Sequence, residues 1–187
     1  ALVLGAGPVG LLGAMLLAHN GFDTHVYSRE DQGSKQAEIV ESIGGTYISA
    51  GDVDAPELPD ACGRVDLVYE AAGATQLAFD VFEVLNANAV YVFTGVPGRK
   101  TPIDIDADEL MRDLVLKNQL VFGTVNADRG AFEDAVRDLS AFRDQWPDAI
   151  GELISGRFDI DEHEALFSGE VGGIKNVVTI HSGATRA

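Results

Sequence analysis

The first ten residues restrict the fold more than any other stretch. Ala1–Leu4 is an apolar run of strand length, and it feeds directly into Gly5-x-Gly7-x-x-Gly10. Residues 11–18 then supply mostly good helix formers. Strand, glycine turn and helix in this order are the setting in which such a motif binds a dinucleotide. Gly5 permits the tight turn. Gly7, lacking a Cβ, lets backbone approach a pyrophosphate, and Gly10 lets the helix lie close to the strand. Pro8 suits the first helical turn, where its missing N–H has no intrahelical partner anyway. The unpaired N–H groups around Val9 and the positive end of the helix dipole then face a phosphate.

Helix 1 is expected over 8–20, stopped by Gly21. Thr24–Tyr27 reads as the second strand. The residues after it bear on cofactor choice. An acid about 20 residues beyond the glycines accepts hydrogen bonds from the adenosine ribose hydroxyls of NAD. Ser28 stands where that acid is expected, and Arg29 follows with a planar fork suited to a 2′-phosphate. The pair favours NADP. A shift of one residue makes Glu30 the ribose acid instead, so NAD stays open.

Lys35–Ile43 reads as helix 2, with Ala37 and Val40 inward. Thr46–Ser49 is a third strand, and 50–64 a loop or irregular crossover. Val65–Tyr69 is a fourth strand ending in Glu70-Ala-Ala-Gly73. Thr75–Leu85 is the next helix. Ala89–Phe93 is an apolar fifth strand, ending in Thr94-Gly95-Val96, and small residues at a strand's carboxyl end leave room for a ligand. Asp106-x-x-Glu109 has the form of a capping box for a helix reaching Asn118. Gln119–Val125 is a sixth strand, with Thr124, Val125 and Asn126 at its end. A long amphipathic helix follows, its Phe132, Ala135, Val136, Leu139 and Phe142 expected in the core. Six strands alternating with helices predict an α/β Rossmann architecture, a doubly wound parallel sheet with helices on both faces.

The pattern changes at Trp146-Pro147. Ala149–Ser155 reads as a short helix, Asp161-x-x-Glu164 as the cap of another, and Asn176–His181 as a last strand. The expected division is a nucleotide-binding body over 1–148 and a tail over 149–187. That tail is too small for a core of its own. It packs on the sheet or completes a domain whose main part is missing. A chain that opens inside a strand is expected to be part of a longer protein.

Thirty acidic residues against 4 lysines and 9 arginines give a net charge of −17 among 187 residues. A phosphate backbone is repelled by such a surface, which excludes nucleic acid as a partner. With 46% apolar residues in clear periodicity, disorder is a poor explanation. Acidic, lysine-poor surfaces suit the cytoplasm of salt-loving cells, where molar salt shortens the Debye length to about 3 Å. No apolar run reaches membrane-spanning length. Cys62 is the single cysteine, so an internal disulfide and a cysteine-based zinc cluster are excluded. His19, His25, His163 and His181 lack metal-ligand spacing. No catalytic residue or metal ligand is expected in this chain.

Taken together, Gly5-Ala-Gly-Pro-Val-Gly10, Glu70-Ala-Ala-Gly73, Phe93-Thr-Gly-Val-Pro97, Gly123-Thr-Val-Asn126 and Ile174-Lys175 resemble the coenzyme half of medium-chain dehydrogenases. That family includes zinc alcohol dehydrogenases and archaeal glucose dehydrogenases. Gly-x-Val-Asn at the sixth strand and Ser28-Arg29 are most similar to the glucose dehydrogenase branch, and the acidic composition to its haloarchaeal members. The resemblance implies a diphosphate on Gly7, Pro8 and Val9 and a 2′-phosphate on Ser28 and Arg29. It implies a nicotinamide flanked by Thr94, Gly95 and Val96 and by Thr124, Val125 and Asn126, with Lys175 reaching the cofactor from the tail. A GroES-like domain absent from this chain would hold the catalytic zinc and the sugar, and the assembly would be a homo-oligomer. In that reading this chain binds NADP and oxidises nothing alone. The rival is a nucleotide-sensing regulatory module, which usually keeps an acid after the second strand and needs no tail. A nearer rival keeps the family and changes the substrate to another alcohol or a quinone.

Overall fold

The computed structural model describes residues 1–98, 102–168 and 171–180. The elements in order are β1 (Leu2–Leu4), α1 (Pro8–His19), β2 (His25–Ser28), α2 (Lys35–Ser42), β3 (Thr46–Ser49), α3 (Leu58–Cys62), β4 (Val65–Glu70) and α4 (Thr75–Asp80). They continue with β5 (Leu85–Phe93), α5 (Ala107–Leu116), β6 (Leu120–Gly123), α6 (Arg129–Gln145), α7 (Pro147–Glu152), β7 (Ile154–Asp159), α8 (His163–Ser168) and β8 (Lys175–Thr179). Six strands form one sheet in the order β3-β2-β1-β4-β5-β6, every pair parallel. The expected α/β Rossmann-type sheet is present. Its strand order reverses between β1 and β4, the place where such sheets bind ligands above the carboxyl ends of their strands.

The period-2 geometry of β1 builds both faces at once. Val3 packs into a core with Leu11 and Met15 of α1, Val26 of β2, and Ile39 and Val40 of α2. Leu2 and Leu4 point the other way, into a core with Leu58, Val68, Val84 and Tyr91.

The connections depart from expectation in several places. The crossover at 50–64 is ordered: a 3-10 turn at Ala55–Glu57 runs into α3, and Leu58 is fully buried. The helix expected over 75–85 ends at Asp80, and β5 begins at Leu85. A 3-10 turn at Phe82–Val84 joins them, and in it Phe82 stacks on Tyr91 at 4.8 Å. The sixth strand is shorter than expected, Leu120–Gly123.

Helix α6 forms, but its apolar stripe is not core. Phe142 alone is buried on it, while Phe132 and Val136 are 66% and 70% exposed. Periodicity specified the stripe correctly and said nothing about what covers it.

The tail holds a strand that the sequence reading missed. The helix expected over 149–155 is α7 at Pro147–Glu152, with Pro147 in its first turn, and β7 follows at once. β7 pairs in parallel with β8 as a separate two-stranded sheet. Ala149 and Leu153 are buried in the α1 side of the core, and Glu152 pairs with Lys35 of α2 at 2.7 Å. Of the strand expected over Asn176–His181, His181 lies outside the described residues.

Candidate functional site

The glycine turn links β1 to α1 at the switch point. Gly5 has φ +96°, a left-handed conformation, and its N–H donates to the Tyr27 carbonyl at 2.8 Å. A Cβ on Gly10 would stand 1.9 Å from the Gly5 carbonyl oxygen, so any side chain there is excluded. At Gly7 the same construction meets nothing within 4 Å. The turn is thus closed toward its own strand and open on the side where a ligand must approach. Gly7 is the N-cap of α1, no side chain caps the helix, and Pro8 fills its first turn. An anion is the natural partner for such a helix start.

The β2 end forms a second polar corner. Ser28 is buried, and its hydroxyl accepts the Ala6 N–H at 3.1 Å, which ties it to the glycine turn. The same hydroxyl donates to Glu30 Oε2 in a short bond. Arg29 extends into solvent at 92% exposure, with Nε 3.6 Å from Glu30 Oε1. The Tyr47 hydroxyl of β3 donates to the Glu30 carbonyl at 2.8 Å and fixes the loop backbone. Arg29, Glu30, Asp31, Gly33 and Ser34 border an open hollow of about 480 Å³.

The ends of β4 and β5 are locked together by Glu70, a role the sequence reading did not assign. Its carboxylate is 2% exposed. Oε1 accepts the N–H groups of Ala72 and Gly73 at 2.9 and 2.7 Å, and Oε2 accepts that of Gly95 at 3.1 Å. The Glu70 carbonyl also receives the Thr94 hydroxyl at 2.8 Å. Backbone donors therefore compensate a charge that burial alone would make costly. A Cβ on Gly95 would lie 2.3 Å from the Gly73 nitrogen, so this crossing requires glycine. An acid ending an apolar strand was the available signal for the clamp.

Beyond β6, the Thr124 N–H donates to the Phe93 carbonyl at 3.0 Å, which sets Thr124 beside the β5 end. Val96, Val125 and Asn126 are exposed on the same rim. The strand ends thus gather Gly5 to Gly10, Ser28, Arg29, Thr94 to Val96 and Thr124 to Asn126 along one edge of the sheet. Lys175 lies on the tail, on the Pro8 side of that rim. It opens β8 and lines a groove of about 590 Å³ with Pro8, Leu12, Arg143 and Ile154, beside the start of α1.

Among the described residues, no group of three His, Cys, Asp or Glu side chains is arranged to hold a metal ion. Burial pushes the Cys62 thiol up, away from the thiolate form a nucleophile needs. No helix among the described residues is long and apolar enough to cross a membrane.

A family model described as glucose dehydrogenase C-terminus matches residues 1–180. The chain belongs to that family. Glucose 1-dehydrogenase 1 of Haloterrigena turkmenica is 35% identical over 168 residues, which are 89% of this chain and 45% of that protein. Glucose 1-dehydrogenase of Methanocella arvoryzae is 28% identical over 180 residues, 96% of this chain and 50% of that protein. The crystal structure of Haloferax mediterranei glucose dehydrogenase in complex with NADP, Zn and gluconolactone superposes with a TM-score of 0.84 at 25% identity, covering 97% of this chain and 51% of that one. The chain spans about half the length of the curated relatives it matches. Membership in the glucose dehydrogenase C-terminus family accounts for the six-stranded parallel sheet. It also agrees with the acidic composition, since several of the relatives are halophilic archaeal proteins.

Proposed function

We propose that the chain is the NADP-binding portion of a zinc-dependent glucose 1-dehydrogenase, an oxidoreductase acting on CH–OH. One observation carries most of this reading: an uncapped, outward-open glycine turn at the switch point of a chain that the family model matches from residue 1 to 180. Gly5 and Gly10 shape the turn, and backbone at Gly7, Pro8 and Val9 receives the diphosphate. Ser28 and Arg29 receive the adenosine 2′-phosphate. Thr94, Gly95 and Val96, held by Glu70, and Thr124, Val125 and Asn126 flank the nicotinamide. Lys175 approaches from the tail, next to Pro8.

The cofactor accepts a hydride from C1 of the sugar. In this reading the zinc and the sugar belong to the half of the relatives' length that this chain does not span. Residues 1–148 act as the cofactor-binding body and 149–187 as a tail anchored on it through Ala149 and Leu153. Leu120 and Phe122 on edge strand β6, with Met111 and Val115 on α5, are exposed and apolar, which supports a homo-oligomer. The acidic surface supports work in a salt-rich cytoplasm.

Titration of the chain with NADPH and NADH, followed by nicotinamide fluorescence, tests the reading. NADPH is expected to bind more tightly, and Arg29→Ala to remove most of the difference. Equal affinities for the unmutated chain contradict the 2′-phosphate assignment. Binding of neither dinucleotide, with a response to some other nucleotide, favours a sensing module.

A further inference from the structure

We infer that Glu30 tunes cofactor selectivity by competing with the 2′-phosphate for Ser28 and Arg29, which narrows the preference for NADP without removing it. The inference rests on the dinucleotide reading above and deepens it. The observation is that one carboxylate already engages both groups assigned to the phosphate. Oε2 takes the Ser28 hydroxyl proton and Oε1 faces Arg29 Nε at 3.6 Å.

Proton inventory makes the competition direct. Ser28 has a single O–H to donate, and its oxygen already accepts the Ala6 N–H. A 2′-phosphate at physiological pH is chiefly an acceptor and needs the proton that Glu30 holds. A bare ribose behaves differently. Its 2′-hydroxyl can donate to the Glu30 carboxylate where it stands, leaving the Ser28 bond intact. NAD therefore fits the corner as found, while NADP requires the Glu30 side chain to swing away and surrender Arg29.

The side chain has room to do so. Glu30 is 30% exposed and borders an open hollow, whereas the loop backbone stays pinned by the Tyr47 hydroxyl. Side-chain rotation suffices. Asp31 adds a second negative charge beside the hollow. No lysine lines the hollow, and nearby Lys35 is engaged by Glu38 and Glu152 at 3.0 and 2.7 Å. Arg29 is thus the one cation bordering the hollow among the described residues.

The test compares the chain with Glu30→Gln and Glu30→Ala by fluorescence titration of NADPH and NADH at one ionic strength, with circular dichroism reporting folding. The expected result is a rise in the NADPH-to-NADH affinity ratio of about tenfold for Glu30→Gln, with NADPH binding improved and NADH binding weakened. Glu30→Ala is expected to move the ratio in the same direction. A ratio unchanged in both variants overturns the competition while leaving the dinucleotide site standing. Loss of NADPH binding in folded Glu30→Gln overturns it too, because Glu30 would then be a supporting residue for the phosphate. If the unmutated chain binds neither dinucleotide, the underlying functional reading fails first, and the inference fails with it.

Discussion

Helices α1 and α6 both carry apolar side chains at helical spacing, on a largely apolar and a largely polar helix respectively, and these meet different fates. On α1, Leu11 and Met15 are wholly buried between β1 and α2. On α6, Phe132, Val136 and Leu139 keep helical spacing yet stay exposed, and Leu139 and Phe142 border an apolar groove of about 690 Å³ with Leu12 and Leu16. The sequence period decides that a face exists. Covering that face requires a neighbour, and for α1 the neighbours follow within forty residues. The α1 side of the sheet is therefore covered, with Phe142, Ala149 and Leu153 completing its core, while Phe132, Val136 and Leu139 of α6 stay exposed.

Substitutions at the two kinds of position sharpen this contrast. The largest effect is expected at Glu70, buried at the end of β4. Glu70→Ala removes the acceptor for three backbone N–H groups and should destabilise the chain by about 3–5 kcal/mol, measured by denaturant titration. Glu70→Gln keeps the shape but sets an amide donor against a backbone donor, so it should recover only part of that loss. Leu4→Ala, in the fully buried β1, should cost about 2–5 kcal/mol. A cost under about 1 kcal/mol there would mean that β1 is not the centre of the fold.

Tyr91 offers a smaller, pH-dependent effect. Burial, with the Glu70 charge second, raises its pKa in the folded chain. The unfolded chain therefore gives up this proton first as pH climbs past about 10. Stability from the neutral phenol is complete below that pH and is lost above it. Tyr91→Phe also deletes the bond to the Ala78 carbonyl at 2.7 Å, and should cost about 1 kcal/mol at neutral pH while flattening the alkaline limb. An unchanged alkaline limb in thermal melts across pH 8–11 would assign that limb to another group. The smallest effect is expected on the open side: Val136→Ala should change stability by under about 0.5 kcal/mol. A loss of about 1.5 kcal/mol or more would show that the α6 face is covered in solution and would break the comparison.

Much of this was legible in the chain because the informative residues act locally. Gly5, Gly7 and Gly10 specify a turn whatever surrounds them, and the apolar runs at Leu2–Leu4 and Ala89–Phe93 announce buried parallel strands. What escaped depends on distant partners. The early end of α4 is accompanied by Phe82 stacking on Tyr91, a contact between residues nine apart in sequence that helical periodicity does not reveal. The parallel pairing of β7 with β8 joins segments with little periodicity of their own. Glu70 reads as one acid among 30 until its carboxylate is seen between two loops. The candidate site followed the same division. The turn, Thr94–Val96 and Thr124–Asn126 fell at strand ends as expected, whereas the Ser28–Glu30 bond emerged only from side-chain geometry.

The central claim is that a dinucleotide lies across the strand ends with its diphosphate on the glycine turn. Amide hydrogen exchange of the chain with and without saturating NADPH tests it most directly. Increased protection at residues 5–11, 94–96 and 124–126 is predicted, with little change in the already buried β1 and β4. Protection absent from residues 5–11, or concentrated at the α6 groove, would contradict it.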